Sequence, residues 1–183
     1  MSETTTASPT PPGEGVRHSF GERVMGALRL DAGIYDEIEH DPDALGQAAG
    51  VVALAAVASA IGVATGAMGD GGVALILVGV FAAFLGWLIS TAIVWLIGVR
   101  IMEHTSDYPE LLRTLGFAQA PQLLKVLAFV PLLGFVVWIA VFFWGLAAYV
   151  VAVRQALDVE TGRAILFGML AGSCSMGGHA MMG

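Results

Sequence analysis

The chain has 183 residues, of which 57% are hydrophobic and only 13% are charged. Soluble domains carry roughly twice that charged fraction, about 25%, so the balance excludes an ordinary soluble protein and indicates a membrane-embedded one. A net charge of −7 with eight Lys and Arg residues excludes duplex nucleic acid as a partner, because such binding needs clustered basic side chains.

The first two segments are predicted to lie outside the membrane. Residues 1–15 hold almost no apolar side chains that folding could bury, so we expect disorder. Residues 19–30 have apolar side chains at helical spacing, which predicts a short amphipathic helix. Two placements are open for it: at the inner membrane surface with Arg17, Arg23 and Arg29 near anionic head groups, or packed on the cytoplasmic ends of a helix bundle.

Residues 31–43, DAGIYDEIEHDPD, are strongly acidic. Asp41 followed by Pro42 is typical of a helix start, so a new helix is predicted there. The carboxylates lack the spacing of a calcium-binding loop, and we expect a solvated acidic surface. The alternative is a site for a cation or a basic partner.

Five apolar segments follow, each long enough to cross a bilayer as a helix. They predict an all-α membrane bundle with a short amphipathic helix before it, a single domain of residues 16–183. The segments are residues 46–68, 73–99, 111–130, 135–153 and 164–183. The last one weakens towards its end and could instead be a helix that frays outside the membrane core.

Small residues recur four apart on these segments, a spacing that lets helices approach closely. We predict packing through Gly46, Gly50, Gly62, Gly66, Gly116 and Ala120. For the first segment, packing inside the bundle is preferred over a dimer interface. The third segment is predicted to be the central helix, kinked at Pro121, because proline has no N–H and frees a carbonyl of the preceding turn.

The third segment also carries three polar side chains, Gln119, Gln122 and Lys125. An ionisable residue inside a membrane suggests a functional site. A lysine can also extend its ammonium to the interface, and both interpretations stay open.

No metal site is predicted. Glu103, His104 and Asp107 could ligate a metal, but no second cluster completes a site. Cys174 and His179, with the methionines around them, could hold copper(I), yet a fraying Met- and Gly-rich end is preferred. Asp107 with Glu110 instead predicts a capping box for the next helix.

Loop charges predict the orientation. Three arginines precede the first span, and arginines flank loops 100–113 and 154–163, whereas turns 69–72 and 131–134 carry no basic residue. The positive-inside rule then places the N-terminus in the cytoplasm and, with five crossings of the cell membrane, the C-terminus outside.

Four stretches together carry a family resemblance. They are IYDEIEHDPDALGQAAGVV at 34–52, LLRTLGFAQAP at 111–121, VPLLG at 130–134 and VAVRQALDVETGRAI at 151–165. They resemble the prokaryotic branch of the Yip (Ypt-interacting-protein) domain family, which implies five spans and a cytosolic N-terminus. Eukaryotic relatives are implicated in Rab GTPase binding, but their acidic entry motif is not matched here, which counts against a GTPase partner.

The sequence shows no nucleophile–base pair, phosphate loop or metal motif, so we expect a protein that is not an enzyme and uses no cofactor. Two functional classes stay open. One is a scaffold or adaptor whose partners are the bilayer and other membrane proteins or itself. The other is a small transporter or channel that uses the kinked third helix. The first is preferred, because transport sites normally recruit polar residues from several helices.

Overall fold

The computed structural model of the protein describes residues 17–63, 72–101, 107–130 and 133–157. The predicted tail and fifth segment lie outside these residues, as do Gly66, Glu103, His104, Cys174 and His179. The described residues form helices only, which confirms the predicted all-α bundle. The helices are α1 Phe20–Leu28, α2 Ala32–His40, α3 Ala44–Val63, α4 Gly72–Ile101, α5 Tyr108–Phe117, a 3₁₀ segment Ala120–Phe129 and α6 Leu133–Leu157.

Three helices in the described part are long and apolar enough to cross a membrane: Ala44–Gly62, Ile76–Gly98 and Leu133–Leu157. They correspond to the first, second and fourth predicted segments. Their outward faces carry large exposed apolar side chains, with Phe81 at 66% and Phe135 at 74% relative exposure. Exposed apolar patches of this extent mark a surface that meets lipid or a partner, and lipid accounts for them here.

The predicted third helix, 111–130, is two pieces and not one kinked helix. α5 ends at Phe117, and after a turn the chain continues as a ten-residue 3₁₀ helix with Pro121 in its first turn. Because Pro121 cannot donate a backbone hydrogen bond, it cannot extend α5. A 3₁₀ helix of this length is uncommon, since its hydrogen-bond geometry is poorer than that of an α-helix.

α5 and the 3₁₀ segment together, here called the broken pass, run beside α3 in the same direction. Gly116 meets Ala48 near the start of α3, and the carbonyl of Lys125 meets Gly62 near its end. At ~1.5 Å per residue in α5 and ~2.0 Å in the 3₁₀ segment, the two pieces add up to ~35 Å, enough to cross a bilayer. The broken pass thus supplies a fourth traverse of the bundle.

α5 is the most enclosed helix of the described part, because every residue from Leu111 to Phe117 is buried. It packs against α2, α3, α4 and α6. The indole N–H of Trp87 donates to the carbonyl of Leu112 at 3.1 Å, and the hydroxyl of Tyr108 donates to the carbonyl of Leu88 at 3.0 Å. These bonds join α4 to α5 through groups that would otherwise be unpaired in an apolar interior.

Two of the predicted packing glycines lie at close helix approaches. A Cβ on Gly116 would lie 2.7 Å from Cβ of Ala48, and a Cβ on Gly62 would lie 2.2 Å from the carbonyl oxygen of Lys125. Ala120 and Pro121 are buried beside them.

Gly46 and Gly50 do not pack inside the described bundle, because a Cβ on either would meet nothing within 4 Å. The packing predicted for this pair is therefore not made within the described residues, and it stays a prediction. The reason is helix phase: α3 turns a different stripe towards its neighbours, namely Ala44, Ala48, Val51, Val52, Ala55 and Ala58.

We predict that Gly62→Ala lowers the thermal stability of the detergent-solubilised protein, while Gly50→Ala does not. The added methyl at Gly62 forces two backbones apart, and such overpacking costs about 1–3 kcal/mol. At Gly50 the methyl meets open space and gains about 0.5–1 kcal/mol of helix propensity. Intrinsic tryptophan fluorescence during a thermal ramp measures both, and equal midpoints for the two variants would contradict the close approach at Gly62.

Candidate functional site

α1 and α2 form a helical hairpin, here called the headpiece, that packs on one end of the bundle. Ser19 and Glu22 form a capping box at the start of α1. At its end, the N–H of Asp31 donates to the carbonyl of Gly26 at 3.0 Å and that of Leu30 to Ala27 at 3.1 Å. This is a Schellman turn, and Leu30 takes the left-handed position, φ 60°, that usually holds glycine.

A charged cluster joins the headpiece to the start of α3, and Arg23 lies at its centre with a relative exposure of 1%. Its Nη2 donates to Glu37 Oε1 at 2.7 Å and to Asp41 Oδ2 at 2.5 Å. Its Nη1 donates to Gln47 Oε1 at 3.1 Å. One guanidinium therefore joins α1, α2, the turn after α2 and α3.

Two further side chains enclose this centre. Arg17 donates to Asp41 Oδ1 at 3.2 Å and to Asp43 Oδ2 at 3.3 Å. The backbone N–H of His18 donates to Glu37 Oε1 at 3.1 Å, and the His18 ring pairs with the other carboxylate oxygen of Glu37. Because each acid accepts from several donors, the cluster acts as a structural connection and not as an acid–base pair.

Burial and hydrogen bonding act in opposite directions on the pKa of each of the two central acids. Burial raises the pKa of Glu37, but the hydrogen bonds from His18 and Arg23 outweigh it and hold this pKa below its usual range. Burial also raises the pKa of Asp41, and the bonds from Arg23 and from the backbone N–H of Asp43 again leave that pKa lowered. Both acids are thus favoured as carboxylates in the folded headpiece.

This geometry selects between the two open placements of the arginines and corrects one expectation about the acidic stretch. Arg23 binds acids of the same chain and is not available for lipid head groups, and Arg17 is paired as well, so of the three arginines Arg29 alone stays exposed without an ion pair among the described residues. The acidic stretch is not simply solvated either, because Glu37 and Asp41 face inward. The headpiece takes the second predicted placement, packed on the end of the bundle.

Two more side chains hold the headpiece through hydrogen bonds, and the sequence pattern does not identify the partner of either. The guanidinium of Arg113 donates twice to the carbonyl of Glu39, from Nε at 3.1 Å and from Nη2, at the C-terminus of α2. A cation there also satisfies the negative end of the helix dipole. The indole N–H of Trp144 donates to the carbonyl of Leu28 at 2.8 Å, at the C-terminus of α1. The one signal for these contacts in the sequence is Arg113, an arginine within an apolar segment.

The predicted polar residues of the broken pass lie at the bundle's interior and edge. Gln119 and Lys125 are half-buried. The Nε2 of Gln122 lies 3.5 Å from a Cβ placed on Gly145 of α6. The Oε1 of Gln122 is buried and has no hydrogen-bond partner among the described residues. The structure thus places the three residues along one element, with the side chain of Gln122 beside Gly145 of α6.

Metal-ligand groups meet at one place in the described part, where Asp36, Glu39 and His40 bring ligand atoms within 4.8 Å of one another. The His40 ring bonds to the carbonyl of Asp36 at 2.9 Å, and the triad lies on the outer face of α2. Asp107, predicted as a ligand or a cap, forms the capping box with Glu110. The two residues that were considered as ligands together with Asp107, Glu103 and His104, lie outside the described residues.

We expect Arg23→Gln to detach the headpiece while the bundle stays folded. Removing one partner of a buried ion pair leaves an uncompensated charge and costs about 3–5 kcal/mol. Hydrogen–deuterium exchange of peptides from α1 and α2 should rise towards the unprotected rate. Arg29→Gln removes the same charge from an exposed position and should leave exchange unchanged; protection that survives in Arg23→Gln would refute the role of the cluster.

Acid should release the headpiece as well. The pKa values of Glu37 and Asp41 are lower in the folded than in the unfolded state, so the folded state binds fewer protons. Their stabilising contribution is complete above about pH 4.5 and is lost as the pH falls through the folded pKa values. Exchange measured from pH 7 to pH 3 should show this loss below pH ~4. In Arg23→Gln the headpiece is already detached at pH 7, so the acid transition should be absent, and a transition like that of the wild type would contradict the assignment.

Comparison with known proteins agrees with the sequence resemblance. The profile of the Yip1 domain matches residues 32–180, which is most of the chain, without assigning a branch of the family. Searches of curated proteins and of solved structures found no match. The matched region includes α2, the three long apolar helices and the broken pass, so the chain belongs to the Yip1 domain family of membrane proteins.

Proposed function

We propose that this protein is a non-enzymatic membrane scaffold or adaptor, and that its headpiece is the surface that binds partner proteins. The supporting observation is the charged cluster around Arg23. It uses the inward-facing charges of α1 and α2 to hold the headpiece in one orientation on a lipid-embedded bundle. A surface held in this way loses little conformational entropy on binding, and that favours its use as a docking face.

The outward face of the headpiece has the mixed chemistry of a protein contact. Both apolar side chains belong to α1: Met25 is 48% exposed, and Phe20 is 38% exposed although its ring also packs on Phe117 of α5. Exposed Asp36, His40 and Asp43 lie on or just after α2. Apolar side chains with charged groups around them are the usual composition of a non-obligate protein interface.

The transporter or channel hypothesis has less support. The polar residues Gln119, Gln122 and Lys125 all belong to one element, and the neighbouring helices bring Gly62 and Gly145 to it. Transport sites near a membrane midplane draw ligand groups from several discontinuous helices. The contacts of the broken pass favour packing over passage.

Site-specific photocrosslinking in native membranes tests the scaffold proposal. A photoreactive residue at Met25 should give discrete protein adducts, whereas one at Leu77, on the exposed face of α4, should give lipid adducts. Adding Arg23→Gln should abolish the Met25 adducts, because the headpiece no longer has a fixed orientation. Met25 adducts that contain lipid only would exclude the headpiece as a docking face.

A further inference from the structure

The 3₁₀ conformation of the broken pass aligns its polar side chains. A 3₁₀ helix has about three residues per turn, so side chains three apart lie directly over one another. Gln122 and Lys125 are three apart within the segment Ala120–Phe129, and Gln119 precedes them by the same interval. In an α-helix the same side chains would diverge around the axis. Gln119, Gln122 and Lys125 form what we call the polar stripe.

Gln122 has unused hydrogen-bonding capacity in this stripe. Its Oε1 is buried without a partner, and its Nε2 lies beside Gly145. Glycine at 145 leaves the room that the amide occupies. Buried side-chain polar atoms are paired in most native structures, so an unpaired one needs an explanation, and a bound partner molecule is one.

Lys125 lies one 3₁₀ turn beyond Gln122, half-buried, and no acid of the described residues forms an ion pair with it. Its chain neighbours Val126 and Leu127 are 38% and 48% exposed, which places lipid next to the stripe. The position is also at the far end of the bundle from the headpiece, because Gly62 is near the end of α3. A cation beside lipid requires an anion or water.

We propose that Gln122 and Lys125 bind the head group of an anionic phospholipid with head-group hydroxyls, such as phosphatidylglycerol. The phosphate accepts from the Lys125 ammonium, and a head-group hydroxyl donates to the free Gln122 oxygen. The acyl chains lie along Val126, Leu127 and Val130. The site is independent of the scaffold function, because it lies on a different element at the other end of the bundle.

Native mass spectrometry of the full-length protein in detergent tests the site with phosphatidylglycerol and phosphatidylcholine as probes. The wild type should retain phosphatidylglycerol preferentially. Lys125→Gln should weaken that retention about tenfold, which corresponds to losing one charge-assisted hydrogen bond. Lys125→Arg should keep it, and Gln122→Leu should reduce the preference for phosphatidylglycerol over a phosphatidic acid that lacks the hydroxyls.

Two controls separate the site from general charge effects. Arg29→Gln loses the same charge from an exposed position of the headpiece and should leave retention unchanged. Inorganic phosphate at millimolar concentration should not displace the lipid, since it lacks acyl chains. Equal retention by Lys125→Gln and the wild type would overturn the proposal. An equal loss in Arg29→Gln, or displacement by phosphate, would overturn it too.

Discussion

The buried guanidinium of Arg23 determines how the water-facing and lipid-facing parts of this protein meet. Taking a charge out of water is expensive, and the attraction to Glu37 and Asp41 repays that cost only when the geometry is good. The donor–acceptor contacts of Arg23, together with those of Arg17 and His18, cannot all be reproduced in a shifted register of α1 on α2, so the cluster selects one arrangement. Its main contribution is therefore to orientation, with a smaller one to net stability, and other headpiece contacts depend on that orientation.

The bundle beneath depends on a different constraint, the close contact of backbones in a lipid environment. Apolar side chains gain little by leaving lipid for a protein interior, so helices in a membrane associate through packing and hydrogen bonds. Gly62 and Gly116 let the broken pass contact α3, and the Trp87 and Tyr108 bonds secure it against α4. The unusual 3₁₀ segment is held between α3 and α6 by these contacts and cannot readily shorten into an α-helix.

The sequence predicts those features that depend on local pattern. Long apolar runs identify α3, α4 and α6, and the Asp107–Glu110 capping box identifies the start of α5, because both signals lie within a few residues. The placement of Arg23 stayed open at the level of the sequence because a helical pattern shows which residues share a face but not what that face contacts. Glu37 and Asp41 are 14 and 18 residues away from it.

The same limit explains the glycines and the 3₁₀ segment. Gly46 and Gly50 share a face of α3, as their spacing requires, but that face is directed away from the described bundle. Proline at 121 ends α5 for a local reason. The segment after it packs against Gly62 of α3 and against Gly134 and Gly145 of α6. No pattern within residues 111–130 contains those contacts.

The two outer bonds of the headpiece have a consequence for the order of assembly. Arg113 reaches a carbonyl 74 residues earlier in the chain, and Trp144 reaches one 116 residues earlier. At a synthesis rate of roughly 5–20 residues per second, the C-terminus of α1 waits about 6–23 seconds for its partner on α6. During that interval α1 and α2 have been synthesised, but their contacts with the later helices are not yet complete. The N-terminal hairpin is therefore the first part of the structure to be translated and among the last to be completed.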